Sequence, residues 1–249
     1  MKMKQLLLCM SAMTMLAFAG CRKENSDAKL PAASPDSELA AKLTTGVHSL
    51  ELTALASSTQ YDCLVNSNPP YAGVNLVSNP DLGTSAWTYS GTVGISRDFF
   101  GFSGIGFLPP GTTVTSAILT LSGLAPGTAV ANPLGNSFYP GSPYSSYGSN
   151  AAYIRRVTGP WNENTITWNN QPATTVTNQV AVPASTTQWN YGVTLNVTSL
   201  VQDIVNSGQN YGFALQLQVE NYYRNLNFAG SRNSDPARRP KLSITYSIP

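Results

Sequence analysis

The chain has 249 residues with 14 basic and 12 acidic side chains, so that charged residues make up 10% of the sequence and the formal net charge is +2 at pH 7. Charges this sparse and this evenly balanced do not build the basic surface that binding to nucleic acid or other polyanions needs, which excludes that class of partner. The single histidine, His48, lies close to the N-terminal segment, so the sequence offers neither a Ser–His–Asp triad around a cleft nor the spacing of a zinc site.

The first residues have the pattern of a bacterial lipoprotein export signal. Lys2 and Lys4 form a basic start, residues 5–18 carry no charge, and small residues precede Cys21. The apolar run is shorter than the ~18–20 residues that span a bilayer, so it predicts a signal peptide over residues 1–20 rather than a membrane helix. The sequence LAFAGC that ends at Cys21 resembles a lipobox, with Phe18 in place of the usual Leu. It implies lipidation of Cys21 and attachment to the bacterial outer membrane. The acidic and polar residues after Cys21, through Asp27, favour exposure at the cell surface, with an anchor that faces the periplasm as the alternative.

Residues 21–44 are predicted to be a flexible tether. They begin with the polar run RKENSD after the cysteine and continue with prolines and small residues, a composition that lacks the apolar content needed to offset the entropy of ordering. Once the signal is removed and Cys21 is lipidated, Cys63 is the one cysteine left, so an intramolecular disulfide is excluded. Cys63 itself is expected to be a small buried residue of a strand.

From about residue 45 onward the sequence has the periodicity of β-strands. Residues 114–121 (VTSAILTL) are largely apolar on both faces, which predicts a strand buried on both faces inside a sandwich. Residues 213–220 (FALQLQVE) alternate instead, with Gln216 on the polar, outward face. Residues 197–208 place apolar side chains at helical spacing, with Thr198 or Ser199 as the cap and a glycine at the end. Many short strands and one helix predict an all-β fold over residues 45–249, an antiparallel β-sandwich of jelly-roll type with one short helix.

Residues 133–150 have no visible period. Gly, Ser, Asn and Pro are interleaved with aromatic residues, among them Tyr139, Tyr144 and Tyr147, which predicts a long loop, and long loops in compact domains are often functional. Tyr is amphipathic and loses little conformational entropy when it is ordered, so these side chains and Tyr222 suit an adaptable recognition surface. The alternative is a solvated loop without a binding role.

Several stretches resemble the DNRLRE-type domains of bacterial proteins. They are residues 110–119 (PGTTVTSAIL), which look like the family's IP-x-G-x-x-I-x-S-A-x-L strand; residues 157–172 (VTGPWNENTITWNNQP), which match its V-x-x-x-W-x-E-x-x-x-T-W-x-x-x-P pattern; and residues 210–213 (NYGF) and 239–242 (RPKL). The resemblance covers about residues 45–249. It implies a jelly-roll β-sandwich on secreted or surface proteins, similar to carbohydrate-binding modules found beside polysaccharide lyases. The chain departs from the family at residues 97–105, where Gly101-Phe102 precede Ser103 in place of a segment that contains Asp in the family, and at residues 133–150, which look like an insertion.

The residue types and the resemblance together define a set of candidate carbohydrate-binding residues. Aromatic faces stack on the apolar C–H faces of sugar rings, and arginine pairs with the carboxylate of a uronic acid. The candidates are Trp161, Arg155, Arg156, Arg224, Tyr139, Tyr144, Tyr147 and Tyr222. For each of them a structural role is the alternative, with the tryptophan as a core anchor and the arginines paired with carboxylates or backbone carbonyls.

Three functions are open at this point. The first is a non-catalytic surface lipoprotein whose jelly roll binds polysaccharide, including polysaccharide that contains uronic acid. The second is an adhesion or structural protein that contacts other proteins on the cell surface, and the third is a polysaccharide lyase that uses Tyr and Arg without a metal. We assign no catalytic residue and no cofactor, although a structural calcium ion is left open, with Glu163 or Asn233–Asp235 as oxygen donors.

Overall fold

The computed structural model describes residues 46–53 and 60–248. The predicted signal peptide (residues 1–20), the predicted lipidation site Cys21 and the predicted tether (residues 21–44) lie outside the described residues and stay predictions. Within the described part of the chain, no helix is long and apolar enough to cross a membrane.

The described residues form eleven strands and one α-helix, joined by loops and short 3-10 turns. The strands are β1 (Gly46–Thr53), β2 (Gln60–Asn66), β3 (Asp81–Tyr89), β4 (Thr92–Phe102), β5 (Thr113–Leu121), β6 (Ala152–Val157), β7 (Thr174–Val182), β8 (Val193–Asn196), β9 (Phe213–Leu217), β10 (Arg224–Ala229) and β11 (Lys241–Ile248), and the helix is α1 (Thr198–Ser207).

The strands pair in two antiparallel sheets. One has four strands in the order β1-β11-β5-β8, and the other has seven, in the order β10-β3-β4-β9-β6-β7 with β2 paired to β4. All of these pairings are antiparallel. The predicted fold class, an all-β antiparallel sandwich of jelly-roll type with one short helix, is therefore confirmed.

The main hydrophobic core lies between the two sheets. Phe100, Phe213 and Phe228 of the seven-stranded sheet are fully buried in one cluster with Leu119 of the four-stranded sheet. The prediction that β5 is buried on both faces was wrong in part, because Ile118 on its other face is only half-buried. The strand has one core face, as antiparallel strands at the surface of a sandwich do.

Helix α1 closes one side of this core, with three of its apolar side chains buried. It ends at Gly208, which has a left-handed conformation with φ of 63°, as the sequence predicts. The predicted cap at its start was wrong. The Thr198 hydroxyl accepts a hydrogen bond from the backbone N–H of Ala117 in β5 instead, and Asn196 Oδ1 accepts from the N–H of Thr198. The helix is thus attached to the neighbouring strand by the residue that was expected to cap it.

A second, smaller core lies on the opposite face of the seven-stranded sheet. Its members are Cys63, Val65, Phe99, Val157, Ile166 and Ala214. Ala214 lies between Phe213 and Leu215, which both belong to the main core, so the alternation of side chains along β9 assigns it to the other face. This second core explains why Gln216, predicted to face solvent, is only 8% exposed. The prediction of a solvated outer face for β9 was wrong because loops cover that face.

The loop predicted over residues 133–150 is fastened to β10, the edge strand of the seven-stranded sheet. The N–H of Ser137 donates to the carbonyl oxygen of Asn225, and the N–H of Asn225 donates to Ser137 Oγ, at 3.0 and 2.9 Å. One step along the strand, the N–H of Asn227 donates to Asn136 Oδ1 at 2.9 Å. An edge strand presents unpaired backbone groups, and here the loop takes the place of a further strand.

We expect Asn150→Ala to lower the free energy of unfolding by about 2–4 kcal/mol, measured by urea denaturation. Asn150 has no exposed surface; its Nδ2 donates to Ser185 Oγ and to the carbonyl oxygen of Asn225, and its Oδ1 accepts from the N–H of Ser185. The truncation leaves these buried groups without partners. The exposed Asn164 is the control, and its change to alanine is expected to cost less than about 0.5 kcal/mol. Equal losses in the two variants would contradict this account of the loop.

Candidate functional site

Five aromatic side chains meet at one end of the seven-stranded sheet, and we call them the aromatic cluster. Its members are Trp87, Tyr144, Tyr147, Tyr222 and Tyr223. The ring centroid of Trp87 lies 4.8 Å from that of Tyr144 and 5.0 Å from that of Tyr223. Tyr223 in turn lies 5.0 Å from Tyr147 and 5.4 Å from Tyr222. The rings in these pairs are inclined by 60° to 90°, a tilted to edge-on packing that is favourable for aromatic pairs.

Strand pairing brings the parts of the cluster together. Trp87 lies near the end of β3, and β10 begins beside it because Arg224 pairs with Ala86. Tyr223, the residue before β10, is therefore next to Trp87, and the hydroxyl of Thr88 donates to the hydroxyl of Tyr223 at 3.1 Å. Tyr144 and Tyr147 belong to the loop over residues 133–150, which is hydrogen-bonded to β10. The same edge strand therefore positions both halves of the aromatic cluster.

Arg224 holds the backbone around the cluster. Its Nη1 donates to the carbonyl oxygens of Val219 and Asn221, and its Nη2 donates to the carbonyl oxygen of Tyr147 at 2.7 Å. A Cβ atom at Gly148 would lie 2.6 Å from Nη2, and this glycine has φ of +107°, so glycine is required for the guanidinium to approach. Three N–H groups of Arg224 are thus engaged by carbonyls that order the tyrosine-bearing segments.

The aromatic cluster combines exposed rings with half-buried rings that hold them in place. Tyr147 and Tyr222 are 44% and 45% exposed, and both pack against Tyr223. Tyr223 is half-buried, as are Trp87 and Tyr144, which pack against it. Rings held in fixed orientations, with part of their faces in solvent, can stack on the C–H faces of a sugar, and the phenolic hydroxyls can bond to its hydroxyl groups. The arrangement suits binding of a flat, amphipathic ligand.

A groove of about 220 Å³ adjoins the cluster. It is lined by Trp87, Thr88 and Tyr89 of β3 and by residues 131–134. Trp87 belongs to both the groove and the cluster, so the two form one continuous surface along the end of the hairpin made by β3 and β4.

Tyr139 lies in the same loop but makes no ring contact with the cluster in the described structure. Its carbonyl oxygen accepts a hydrogen bond from Ser145 Oγ at 3.0 Å. Its side chain lines a separate groove of about 420 Å³ together with Phe138, Pro140 and Ser185. The structure therefore brings four of the predicted residues to one place, namely Tyr144, Tyr147, Tyr222 and Arg224, and sets Tyr139 beside them.

Trp161 lies elsewhere, on the second core. Its Nε1 donates to the carbonyl oxygen of Tyr211 at 2.9 Å. Its ring lies 5.2 Å from that of Tyr61 and 5.8 Å from that of Phe99. The side chain is half-buried, and these contacts make it an anchor for the loop that follows β6.

Arg155 and Arg156 are neighbours in β6 and do not contact the aromatic cluster. Arg155 Nε donates to Gln179 Oε1 at 2.8 Å, and the guanidinium carbon lies 5.3 Å from the centroid of the Tyr153 ring. Arg156 Nε is buried and has no hydrogen-bond partner among the described residues. Of the two, Arg155 has the geometry of a cation lying over an aromatic face.

Glu163 is an ion-pair residue. Its carboxylate accepts from Arg232 Nη2 at 2.6 Å, and Arg232 Nη1 donates to Asp62, which also accepts from the N–H and hydroxyl of Ser231. This arginine links the loop that bears Glu163 to β2. With its carboxylate paired in this way, Glu163 holds two segments together.

Residues 233–235 form a turn. Asn233 Oδ1 accepts from the N–H of Asp235, and Asp235 Oδ1 accepts from the N–H of Ala237, both at 3.0 Å. Asp235 Oδ2 also lies 3.3 Å from Arg238 Nε. Across residues 46–53 and 60–248, no group of three or more His, Cys, Asp or Glu side chains has the geometry to hold a metal ion.

Strands β2, β3 and β4 of the seven-stranded sheet each carry one buried carboxyl group, from Asp62, Asp81 and Asp98. Asp98 has no exposed surface; its Oδ2 accepts from the N–H of Gly83 at 3.1 Å, and its Oδ1 has no partner in the described structure. Burial raises the pKa of Asp98 well above its usual value of 3.8, and the charges of Asp62 and Asp81 raise it further. Burial likewise raises the pKa of Asp62 and of Asp81, against the hydrogen bonds that they accept.

Cys63 is a buried residue of β2, as the sequence predicts. Burial, and secondarily the charge of Asp98, raises the pKa of its thiol to about 12. A thiol with so high a pKa is protonated at neutral pH and is a poor nucleophile.

We expect the protein to lose stability as the pH rises above 3.8, and Asp98→Asn to reduce that loss. An acid whose pKa is raised in the folded state keeps its proton there while the unfolded chain releases it. The unfolded state therefore binds fewer protons above the usual value of 3.8, and stability falls with increasing pH.

Asparagine is isosteric and can still accept from Gly83, so the variant should show a shallower fall in urea denaturation series between acid and neutral pH. The remaining slope comes from Asp62 and Asp81. Parallel curves for variant and wild type would refute the assignment to Asp98.

The sequence reasoning missed Trp87 and left Tyr223 out of the candidate set. Trp87 and Tyr89 alternate on a strand immediately before Ser90-Gly91, a two-residue turn in which both residues have positive φ. An alternating aromatic pair before a tight hairpin turn is a readable signal for side chains that share one face at the sheet end. What the sequence did not give is the neighbour of that strand, because the partner β10 lies far along the chain.

Residues 141–246 match the family model described as carbohydrate-binding module family 96. The match spans less than half of the chain and includes every member of the aromatic cluster except Trp87. No curated protein matches the sequence at a significant level. The family comprises binding modules. The match therefore supports carbohydrate binding in general and shows that this part of the chain is similar to carbohydrate-binding modules.

Proposed function

We propose that this protein is a non-catalytic, DNRLRE-type lipoprotein of the bacterial outer membrane that binds polysaccharide at the cell surface. The observation that carries the proposal is the aromatic cluster, in which two exposed tyrosines lie on a support of half-buried rings. Its position within a jelly-roll sandwich that matches a carbohydrate-binding module family in part supports the same conclusion.

The cluster has the chemistry that sugars need. A pyranose presents an apolar C–H face and a rim of hydroxyl groups, and the cluster presents aromatic faces and phenolic hydroxyls. Tyr and Trp have few rotatable bonds, so binding costs little side-chain entropy. The contacts of Arg224 with three backbone carbonyls fix the segments that bear Tyr147 and Tyr222, which lowers the cost of ordering them further.

We expect Trp87→Ala to lower the affinity for polysaccharide at least about tenfold. The full-length protein would be screened on an array of plant, algal and bacterial polysaccharides, and each one that gives a signal would then be used in affinity gel electrophoresis. Because Trp87 is half-buried, Tyr147→Ala serves as a second variant at a more exposed position and should also weaken binding.

The matched control is Phe107→Ala, which removes a ring that is 51% exposed beyond the far end of β4. β4 has eleven residues, so Phe107 lies roughly 30 Å or more from the cluster. Binding that survives both cluster variants but is lost in Trp161→Ala would transfer the site to the second core and refute the role of the cluster.

The alternative ligand, polysaccharide that contains uronic acid, would rest on Arg155 of β6, which lies away from the aromatic cluster. Its Nε donates a hydrogen bond to Gln179 Oε1, and its guanidinium lies over the Tyr153 ring. This orientation supports pairing of the remaining N–H groups with a carboxylate. In the same assay Arg155→Gln should weaken binding to polygalacturonate and alginate and leave binding to neutral polysaccharides unchanged. An equal effect on both classes would exclude this selectivity.

The proposed anchor is tested at Cys21. Acyl chains contribute about 0.8 kcal/mol per buried CH₂, and two or more of them hold a protein stably on a membrane. Cells grown with an alkyne-bearing palmitate should yield labelled wild-type protein in the outer-membrane fraction, whereas Cys21→Ala should be unlabelled. Label that persists in the variant, or wild-type protein recovered without label, would contradict lipidation at this residue.

Contact with another surface protein is a second candidate. Val219 is 55% exposed, and Arg224 binds its carbonyl oxygen and that of Tyr147. Exposed apolar side chains held close together in this way are of the kind that binds proteins. If no polysaccharide binds while cross-linking on cells captures a partner that Tyr222→Ala no longer captures, this candidate replaces the first.

A further inference from the structure

We propose that a cleft next to the aromatic cluster is a second sugar-binding subsite, so that the protein binds an internal stretch of a linear, uncharged polysaccharide rather than a chain end. The inference rests on the proposed function and adds the class of ligand. The cleft lies between the loop that follows β2 and the hairpin turn between β3 and β4.

The cleft has a volume of about 410 Å³ and both apolar and polar walls. Its lining residues are Asn68, Pro69, Pro70, Tyr71, Tyr89, Ser90 and Thr92. The lining contains no Asp, Glu, His, Lys or Arg, so a carboxylate or sulfate placed here would lose hydration without gaining a counter-charge from the walls. The lining therefore selects an uncharged ligand that has apolar faces and hydroxyl groups.

Two tyrosines form the apolar walls. Tyr71 is 42% exposed, and its ring centroid lies 6.3 Å from that of Tyr89 at an angle of 62°. Tyr89 is half-buried and belongs to β3. The wall formed by Tyr89 is thus held by the sheet, whereas the ring of Tyr71 is exposed to solvent, where a sugar ring can stack on it.

The polar side of the cleft is ordered before any ligand binds. Asn68 is only 3% exposed; its backbone N–H donates to Asn66 Oδ1 at 2.7 Å, and its Nδ2 donates to the carbonyl oxygen of Thr92 at 3.4 Å. Ser90 and Gly91 form the turn with φ of 50° and 82°, the tight type that matches the twist of a hairpin. A preformed cleft spends little binding energy on ordering its own residues.

The cleft and the aromatic cluster belong to one surface. Tyr89 lines both the cleft and the groove that contains Trp87. Trp87 and Tyr89 are two residues apart in β3, so their side chains leave the same face about 7 Å apart. Gly94 pairs with Trp87, and a Cβ there would lie 3.0 Å from Asn68 Cβ and 3.2 Å from Tyr89 Cδ2. Glycine at this position leaves the space that the Tyr89 ring and Asn68 occupy.

The resulting row of rings crosses the strands at the end of the sheet. From the β2 side to the β10 side its members are Tyr71, Tyr89, Trp87, Tyr223 and Tyr147. A pocket for a chain terminus surrounds one sugar, whereas a row of stacking faces with an exposed ring at each extremity accepts successive sugars of a continuing chain. The expected ligand is therefore a linear polysaccharide held at several consecutive residues.

The test is the dependence of affinity on chain length. Full-length wild type, Tyr71→Ala and Trp87→Ala would be titrated by calorimetry with cello-, manno-, xylo- and laminari-oligosaccharides from disaccharide to hexasaccharide, and with oligomers of mannuronate. Wild-type affinity for at least one neutral series should rise with length. Tyr71→Ala should remove that rise, lowering hexasaccharide affinity about tenfold, and leave short oligomers unaffected. Tyr71→Phe, which keeps the ring, should behave like wild type.

The outcomes separate the two proposals. If Trp87→Ala abolishes binding while Tyr71→Ala equals wild type at every length, the subsite is refuted and the proposed function stands. The same holds if only the uronate oligomers, or only branched polysaccharides in the earlier assay, bind. If no oligosaccharide and no polysaccharide binds the wild-type protein, both proposals are refuted.

Discussion

The backbone of edge strand β10 needs hydrogen-bond partners, and the way it obtains them determines the candidate site. Ser137 bonds to both the N–H and the carbonyl oxygen of Asn225. Asn136 Oδ1 accepts from the N–H of Asn227, and the buried Asn150 joins the other end of the loop to the same strand. The loop therefore cannot be placed elsewhere without leaving several buried polar groups unpaired. Its tyrosines reach the end of β3 as a consequence of this attachment.

The two cores explain why the open surface lies at the end of the sheet and not on its face. One face of the seven-stranded sheet packs against the other sheet, and the loops around Ile166 cover part of the opposite face. These loops leave the ends of β3 and β10 uncovered, and the rings of Tyr147 and Tyr222 are exposed to solvent there. Binding surfaces on a rigid sandwich commonly lie on such loops and strand ends.

Much of the fold and part of the site could be predicted from the sequence. Alternation and turn residues gave the class of fold, and Gly208 gave the end of α1, because these are local signals. The burial of Gln216 could not be predicted, since it depends on loops that come from distant parts of the chain. The same limit applies to the site: Tyr144, Tyr147, Tyr222 and Arg224 were found by residue type, whereas the meeting of β10 with β3 at Trp87 is a long-range pairing that no local pattern encodes.

The most family-like stretch of the sequence and the surface with the chemistry of recognition are different parts of the molecule. Trp161 donates its N–H to the backbone of Tyr211, Trp168 lies under the guanidinium of Arg97 at 4.8 Å, and Glu163 pairs with Arg232. The side chains that define the motif thus hold a covering loop on the sheet. Trp87 and the Tyr71–Tyr89 cleft lie before residue 141, outside the segment that matches the carbohydrate-binding module family. A motif that stabilises a scaffold can be shared by domains with different ligands, so the specificity of this one is to be sought in the β3–β4 hairpin and in the loop after β2.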